Sequence, residues 1–152
     1  MTKSEKVTLT NMCMIEDSLG NVLVQDKKSS TWGGICFPGG HVEEKESFTT
    51  SVIREIREKT GLHISSPVLC GIKQFCSAEG SERYIVFLYK ADKFTGSLRS
   101  SDEGEVFWMP KCDVLKSKIA PNFEDMFKVF EDDGISEVYY TRENGELTTE
   151  FY

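Results

Sequence analysis

Gly40-His-Val-Glu-Glu-Lys-Glu46-Ser-Phe-Thr-Thr-Ser-Val-Ile-Arg54-Glu55-Ile56-Arg57-Glu58-Lys59-Thr60-Gly61-Leu62 sets a glycine turn, an acid, an Arg-Glu pair and a further acid ahead of a second glycine. From Ser47 to Lys59 the spacing predicts a helix. Phe48, Val52 and Ile56 lie four apart with Ile53 alongside, so one stripe faces a core. Glu43, Glu44 and Glu46 suit the positive end of its dipole, and Gly61 suits a left-handed C-cap. Glu55 and Glu58 are three apart and Glu55 and Lys59 four apart, so the three share a face. Neighbours at those spacings have Cβ atoms about 5–6 Å apart. Two carboxylates that close can share a hard cation, which would offset charge on a diphosphate and lower the pKa of a bound water. Arg54 and Arg57 can hold the acids in position or touch phosphate. For any one of these residues a solvated, salt-bridged helix face is the simpler reading. The glycines and acids taken together point to a site.

Upstream, Val7, Leu9, Asn11, Cys13 and Ile15 alternate with Thr8, Thr10, Met12 and Met14, which predicts a strand with one or both faces covered. Asn11 in that strand is either a satisfied core amide or a reader of a base edge, with the core reading ahead. A turn at Gly20 returns the chain through Asn21 to Gln25 as a second strand. Trp32-Gly-Gly-Ile-Cys-Phe-Pro-Gly-Gly40 then supplies glycines that can bring backbone close to a ligand. Downstream, Pro67 opens an apolar run to Phe75, Arg83 to Leu88 and Glu105 to Met109 are two more, all read as strands, and Pro110 to Lys116 reads as a short helix. Asn122 is placed to cap a helix through Glu131 that carries Phe123, Met126, Phe127 and Phe130 on one face. The tail from Glu137, with Asn144-Gly145 at its turn, has the marks of a β-hairpin. The pattern predicts one α+β domain over residues 1–152, with residues 137–152 as a C-terminal hairpin.

The 25 acidic and 18 basic residues leave a net charge of −7, which argues against nucleic acid or an anionic membrane as partner. An acidic protein that handles an anionic polyphosphate needs a cation between the two. The five cysteines form no CxxC pair and most lie in apolar runs, so they read as reduced core residues, with Cys112 more exposed. The N-terminus is polar and no run reaches membrane-spanning length, so the expected location is cytoplasmic.

The stretch from Gly40 to Leu62 resembles the signature of the Nudix hydrolases. In that signature a glycine is followed at fixed intervals by Glu46, by Arg54-Glu55, by paired acids at 58 and 59, and by Gly61. The likeness extends to Trp32-Gly-x-x-x-x-Pro-Gly-Gly40 and to an acidic segment before Trp108, and covers residues 7 to about 131. It implies a Nudix-type αβα sandwich with a mixed sheet. It also implies a magnesium ion (or manganese) bound by the Gly39 carbonyl, Glu55 and Glu58, with a further ligand or base from Glu103 or Glu105. Glu55, Glu58, Arg54 and Glu105 are the catalytic candidates, and Glu46 supports the loop and helix. Lys59 stands where the family has the second paired acid. Three arrangements are open to it, in order of preference: Lys59 swings out to solvent, it contacts substrate phosphate, or the site is kept for binding alone.

Within the family, the small size is similar to the MutT branch, which implies hydrolysis of a normal or oxidised nucleoside triphosphate to monophosphate and pyrophosphate. Dinucleoside polyphosphates and nucleotide sugars are the rival substrates. A catalytically weak nucleotide-binding module is the rival function. Trp32 and Phe37, which flank the glycine loop, and Lys59 are the substrate-binding candidates, Trp32 foremost as a stacking partner for the base. Tyr139, Tyr140, Phe151 and Tyr152 on the hairpin offer a surface for a homodimer.

Overall fold

In a computed structural model that describes residues 3–152, the alternation of β1 (Lys6–Ile15) divides the interior in two. Met12 and Met14 enter one core, Cys13 and Ile15 the other. The same happens in β2 (Asn21–Lys27), where Val22 and Val24 face one way and Leu23 the other. A strand buried on both sides needs a layer on each side. One layer is α1 (Phe48–Thr60), whose Val52 and Ile56 close the core that holds Cys13, Ile15 and Leu23. The other is α2 (Phe123–Glu131), whose Phe123, Phe127 and Phe130 close the second core. This is the sandwich expected. Met1 and Thr2, where the polar N-terminus begins, lie outside the described residues.

The remaining strands complete the layer. With β3 (Gly34–Cys36), β4 (Leu62–Ser65), β5 (Val68–Cys76), β6 (Glu82–Ala91), β7 (Lys93–Gly96), β8 (Gly104–Pro110), β9 (Glu137–Glu143) and β10 (Glu146–Phe151), three sheets form. The largest is mixed, in the order β1-β6-β5-β9-β10, with β1 parallel to β6 and β5 parallel to β9. Antiparallel β3-β2-β8 and β4-β7 make the others. A β-bulge at Leu69/Gly71 shifts the register of β5 against β6.

Helix α1 begins where Ser47 accepts a hydrogen bond from the Thr50 amide at 3.0 Å. It ends where Gly61, at φ 80°, donates its amide to the Arg57 carbonyl at 2.9 Å. Asn122 differs from expectation. It precedes α2 with φ 62°, and its side chain makes no capping bond. Its carbonyl instead accepts from the Asp125 amide at 3.2 Å, and Asn tolerates this left-handed conformation better than most residues. Residues Lys111–Lys116 form a 3-10 turn. Of the hairpin aromatics, Tyr140 is buried and donates its hydroxyl to Asp125 at 2.7 Å, while Tyr152 is exposed.

Candidate active site at the glycine turn

The glycine turn is laid along β1. The Asn11 amide donates to the Gly40 carbonyl at 2.8 Å, and the Cys13 amide donates to the Pro38 carbonyl at 2.9 Å. The Asn11 side chain accepts from the Gly40 amide at 3.1 Å and donates to Ser51 on α1 at 2.9 Å. Asn11 is thus a satisfied buried amide that ties strand, turn and helix together. Side chains at 39 and 40 have no room. A methyl group on Gly39 would overlap the Asn11 carbonyl, and one on Gly40 would overlap the Glu55 carboxylate. Gly40→Ala is therefore expected to displace Glu55 and to lower turnover while circular dichroism stays native.

Arg54 organises the acids. Its guanidinium grips Glu46 through Nε at 2.7 Å and Nη2 at 2.9 Å, a bidentate pair. Nη2 also reaches the His41 carbonyl at 3.0 Å, and Nη1 reaches Glu55 at 3.0 Å and Glu58 at 3.2 Å. The hydrogen bonds from Arg54 hold the Glu46 carboxyl down at about pKa 2. Glu46 thus supports the loop and helix, Arg54 positions three carboxylates, and Glu58 remains more than half exposed. Glu55 is 8% exposed, deeper than a solvated face would leave it.

Lys59 does not swing out to solvent, and that expectation is corrected. Its ammonium lies 2.7 Å from the Gly39 carbonyl, 2.6 Å from Glu103 and 3.5 Å from Glu55, with the side chain 15% exposed. The hydrogen bond from Lys59 depresses the Glu103 carboxyl below its ordinary value. Glu103 reaches this point because the turn before β8 is fastened by the Lys28 amide, which donates to the Glu103 carbonyl at 3.0 Å. Glu105 lies one step further on, in β8 opposite Asp26, exposed and without an ion pair among the described residues.

The three oxygen donors nearest Lys59 are the Gly39 carbonyl and two of the acids expected to hold magnesium. They do not fit a resident divalent ion here, because an ammonium already takes them. At 4 Å and an effective dielectric of 20, a dication and an ammonium repel by roughly 8 kcal/mol. Glu58 is turned to Arg54. Among the described residues no group of three His, Cys, Asp or Glu side chains is arranged to hold a metal ion.

Beyond this point opens a cavity of about 570 Å³, within the range of small-molecule sites. Gly39, His41, Lys59 and Glu103 line one part, and Trp32, Lys73, Phe75 and Tyr84 another, with Lys27 and Lys28 also on the wall. Trp32 is fixed by its indole N–H, which donates to the Pro121 carbonyl at 2.7 Å. Phe37 also lines the cavity, from its floor. It sits edge-on to Phe123 at 5.0 Å and to Phe130 at 5.2 Å, buried and committed to the core. Sequence reasoning missed Lys73, which is 7% exposed and ringed by Tyr140, Phe75 and Trp32 at 5.0, 5.6 and 5.8 Å. Burial pushes its ammonium down to about pKa 8, partly opposed by Asp125 and Glu124. Gln25 also lines the cavity, and its side-chain nitrogen is buried without a partner among the described residues.

The same fold recurs in known proteins. The NUDIX domain family model matches residues 8–132. The uncharacterised Nudix hydrolase YvcI of Bacillus subtilis is 33% identical over 125 residues, 80% of this chain and 75% of that protein. An ADP-ribose pyrophosphatase of Methanocaldococcus jannaschii is 28% identical over 60% of this chain and 54% of its own length. Among solved structures, the MutT protein of Bacillus halodurans superposes with a TM-score of 0.77 at 28% identity, over 95% of this chain and 97% of that one. With motif, sandwich and these relatives in agreement, the chain belongs to the Nudix hydrolases, on their MutT-like side.

Proposed function

We propose that this enzyme cleaves a nucleoside triphosphate, normal or oxidised, to monophosphate and pyrophosphate. Nudix hydrolases act on nucleoside diphosphate-linked substrates and generally use divalent cations. The observation that carries the finer reading is the cavity itself. It joins the glycine turn and Lys59 to an aromatic end at Trp32, Phe75 and Tyr84. Phosphates suit the first and a base the second. The chain's −7 charge had called for a cation at the polyphosphate, and Lys27, Lys28 and Lys59 supply three on the cavity wall. Magnesium, in this reading, arrives as part of the substrate, chelated by its polyphosphate.

The chemistry follows from the residues at hand. Glu58, turned outward and aligned by Arg54, takes a proton from the attacking water. The water oxygen bonds to phosphorus as the bond to the departing pyrophosphate oxygen breaks, and the lysine ammoniums stabilise the charge that collects there. Glu55 holds Lys59 and Arg54 in place. Lys73, poorly solvated and facing the base end, donates to a carbonyl acceptor on the base. The enzyme works in the cytoplasm, where its five unpaired cysteines stay reduced.

A second reading, a nucleotide-binding module of weak activity, is favoured by Lys59 alone. Product analysis separates the two. Native protein is incubated with nucleoside triphosphates, ADP-ribose and a dinucleoside tetraphosphate, and products are resolved by ion-exchange chromatography. Monophosphate plus pyrophosphate from a triphosphate is expected. Preferred cleavage of ADP-ribose or the tetraphosphate would move the substrate to the rival class. Quenching of tryptophan fluorescence that Trp32→Phe removes, with every nucleotide recovered intact, would establish the binding module.

A further inference from the structure

We propose that Lys59 is the resident cation of this site, a tethered ammonium in the position where the ligand set would otherwise hold a divalent metal. A backbone carbonyl and two carboxylates converging on one point is a hard-cation ligand set by its chemistry. In this chain the point is filled by Lys59 Nζ, at 2.7 Å from the Gly39 carbonyl, 2.6 Å from Glu103 and 3.5 Å from Glu55. The ammonium donates to the Gly39 carbonyl and to Glu103, with Glu55 at ion-pair distance, which leaves a proton for a phosphate oxygen.

The charge around the site agrees. With a carboxylate at 59, six acids (Glu43, Glu46, Glu55, Glu58, Glu103 and residue 59) would cluster around Arg54, an excess that favours a bound cation. With lysine, five acids face Arg54 and Lys59. Each acid has a partner: Glu43, Glu46 and Glu58 on Arg54, Glu103 on Lys59, Glu55 on both. Lys59 also joins three separate pieces of chain: the end of α1, the glycine turn and the turn before β8. The site is thus assembled before any metal arrives. A magnesium-chelated nucleotide would meet the lysines of the cavity wall, Lys27, Lys28 and Lys59, with its own ion remaining on its phosphates.

Direct metal binding in the absence of nucleotide tests this, independently of whether the protein turns over any substrate. Manganese binding is followed by electron paramagnetic resonance on native protein, Lys59→Glu and Lys59→Gln, with circular dichroism to confirm folding. Native protein is expected to leave manganese free at millimolar concentration. Lys59→Glu should bind one ion at least about 100-fold more tightly than native protein, and Glu55→Gln in that background should abolish the gain. Lys59→Gln, which removes the ammonium without adding an acid, should gain a smaller fraction. If Lys59→Glu does not fold, native protein and Lys59→Gln decide. Native protein that binds manganese as tightly as either variant would overturn the proposal. Silence from every folded variant would overturn it too, since the three oxygens would then not be a latent metal site.

Discussion

Glu58→Gln is expected to lower the turnover number about 10²- to 10⁴-fold, the usual share of general-base catalysis, and to leave folding nearly untouched. The side chain is more than half exposed and its one salt link among the described residues, to Arg54 at 3.2 Å, is of the i,i+4 kind. Such pairs contribute about 0.3–0.5 kcal/mol. Glu55→Gln should lower turnover comparably but cost more in stability. Glu55 is buried, bonded to Arg54 at 3.0 Å and beside Lys59 at 3.5 Å. Neutralising one partner of a buried, hydrogen-bonded charge cluster costs about 1–3 kcal/mol. The contrast between the two variants is the useful part: a shared loss of kcat with an unequal loss of melting temperature. Equal turnover in native protein and Glu58→Gln would remove Glu58 from the chemistry.

Lys73→Met is expected to move stability and binding in opposite directions. Burial holds the Lys73 ammonium down from 10.5 to about pKa 8. That shift makes the buried charge unfavourable by about 3 kcal/mol at neutral pH relative to a neutral side chain. Methionine fills similar space without the charge, so the variant should gain about 1–3 kcal/mol in chemical denaturation at pH 7. The pH profile gives an independent check. Between about pH 8 and 10.5 the unfolded chain binds a proton at Lys73 that the folded chain does not, so native stability rises with pH across that window. Lys73→Met should lack that rise. A residue that costs stability and faces a cavity is a candidate for ligand recognition. Nucleotide affinity of Lys73→Met should fall about 10- to 100-fold, as for a lost charged hydrogen bond. A variant both more stable and equally tight would leave Lys73 without a role in binding.

The central helix and its capping glycines could be read from sequence because helical spacing is a local property. The same holds for β1, β2 and α2, whose apolar patterns are long enough to register. Strands β3, β4 and β7 span only three or four residues each and carry no such pattern. The direction of Lys59 was hidden for another reason. A long side chain at the end of a helix can reach solvent or the adjacent turn, and what decides is Glu103, more than forty residues away in sequence. Glu103 and Glu105 were indistinguishable because Gly104, at φ 151°, turns the chain between them and spacing does not reveal such a turn. Lys73 escaped because the bulge at Leu69/Gly71 breaks the two-residue alternation that would have marked it as inward. Phe37 was legible as an aromatic by the glycine loop, but its three phenylalanine neighbours come from α2.

The most direct test is the rate of pyrophosphate release by native protein at fixed nucleoside triphosphate as magnesium chloride is raised. If Lys59 is the resident cation and magnesium enters on the substrate, the rate follows the concentration of magnesium–nucleotide complex and levels off once the nucleotide is fully complexed. A rate that keeps climbing with free magnesium well beyond that point would contradict this, as would the absence of pyrophosphate.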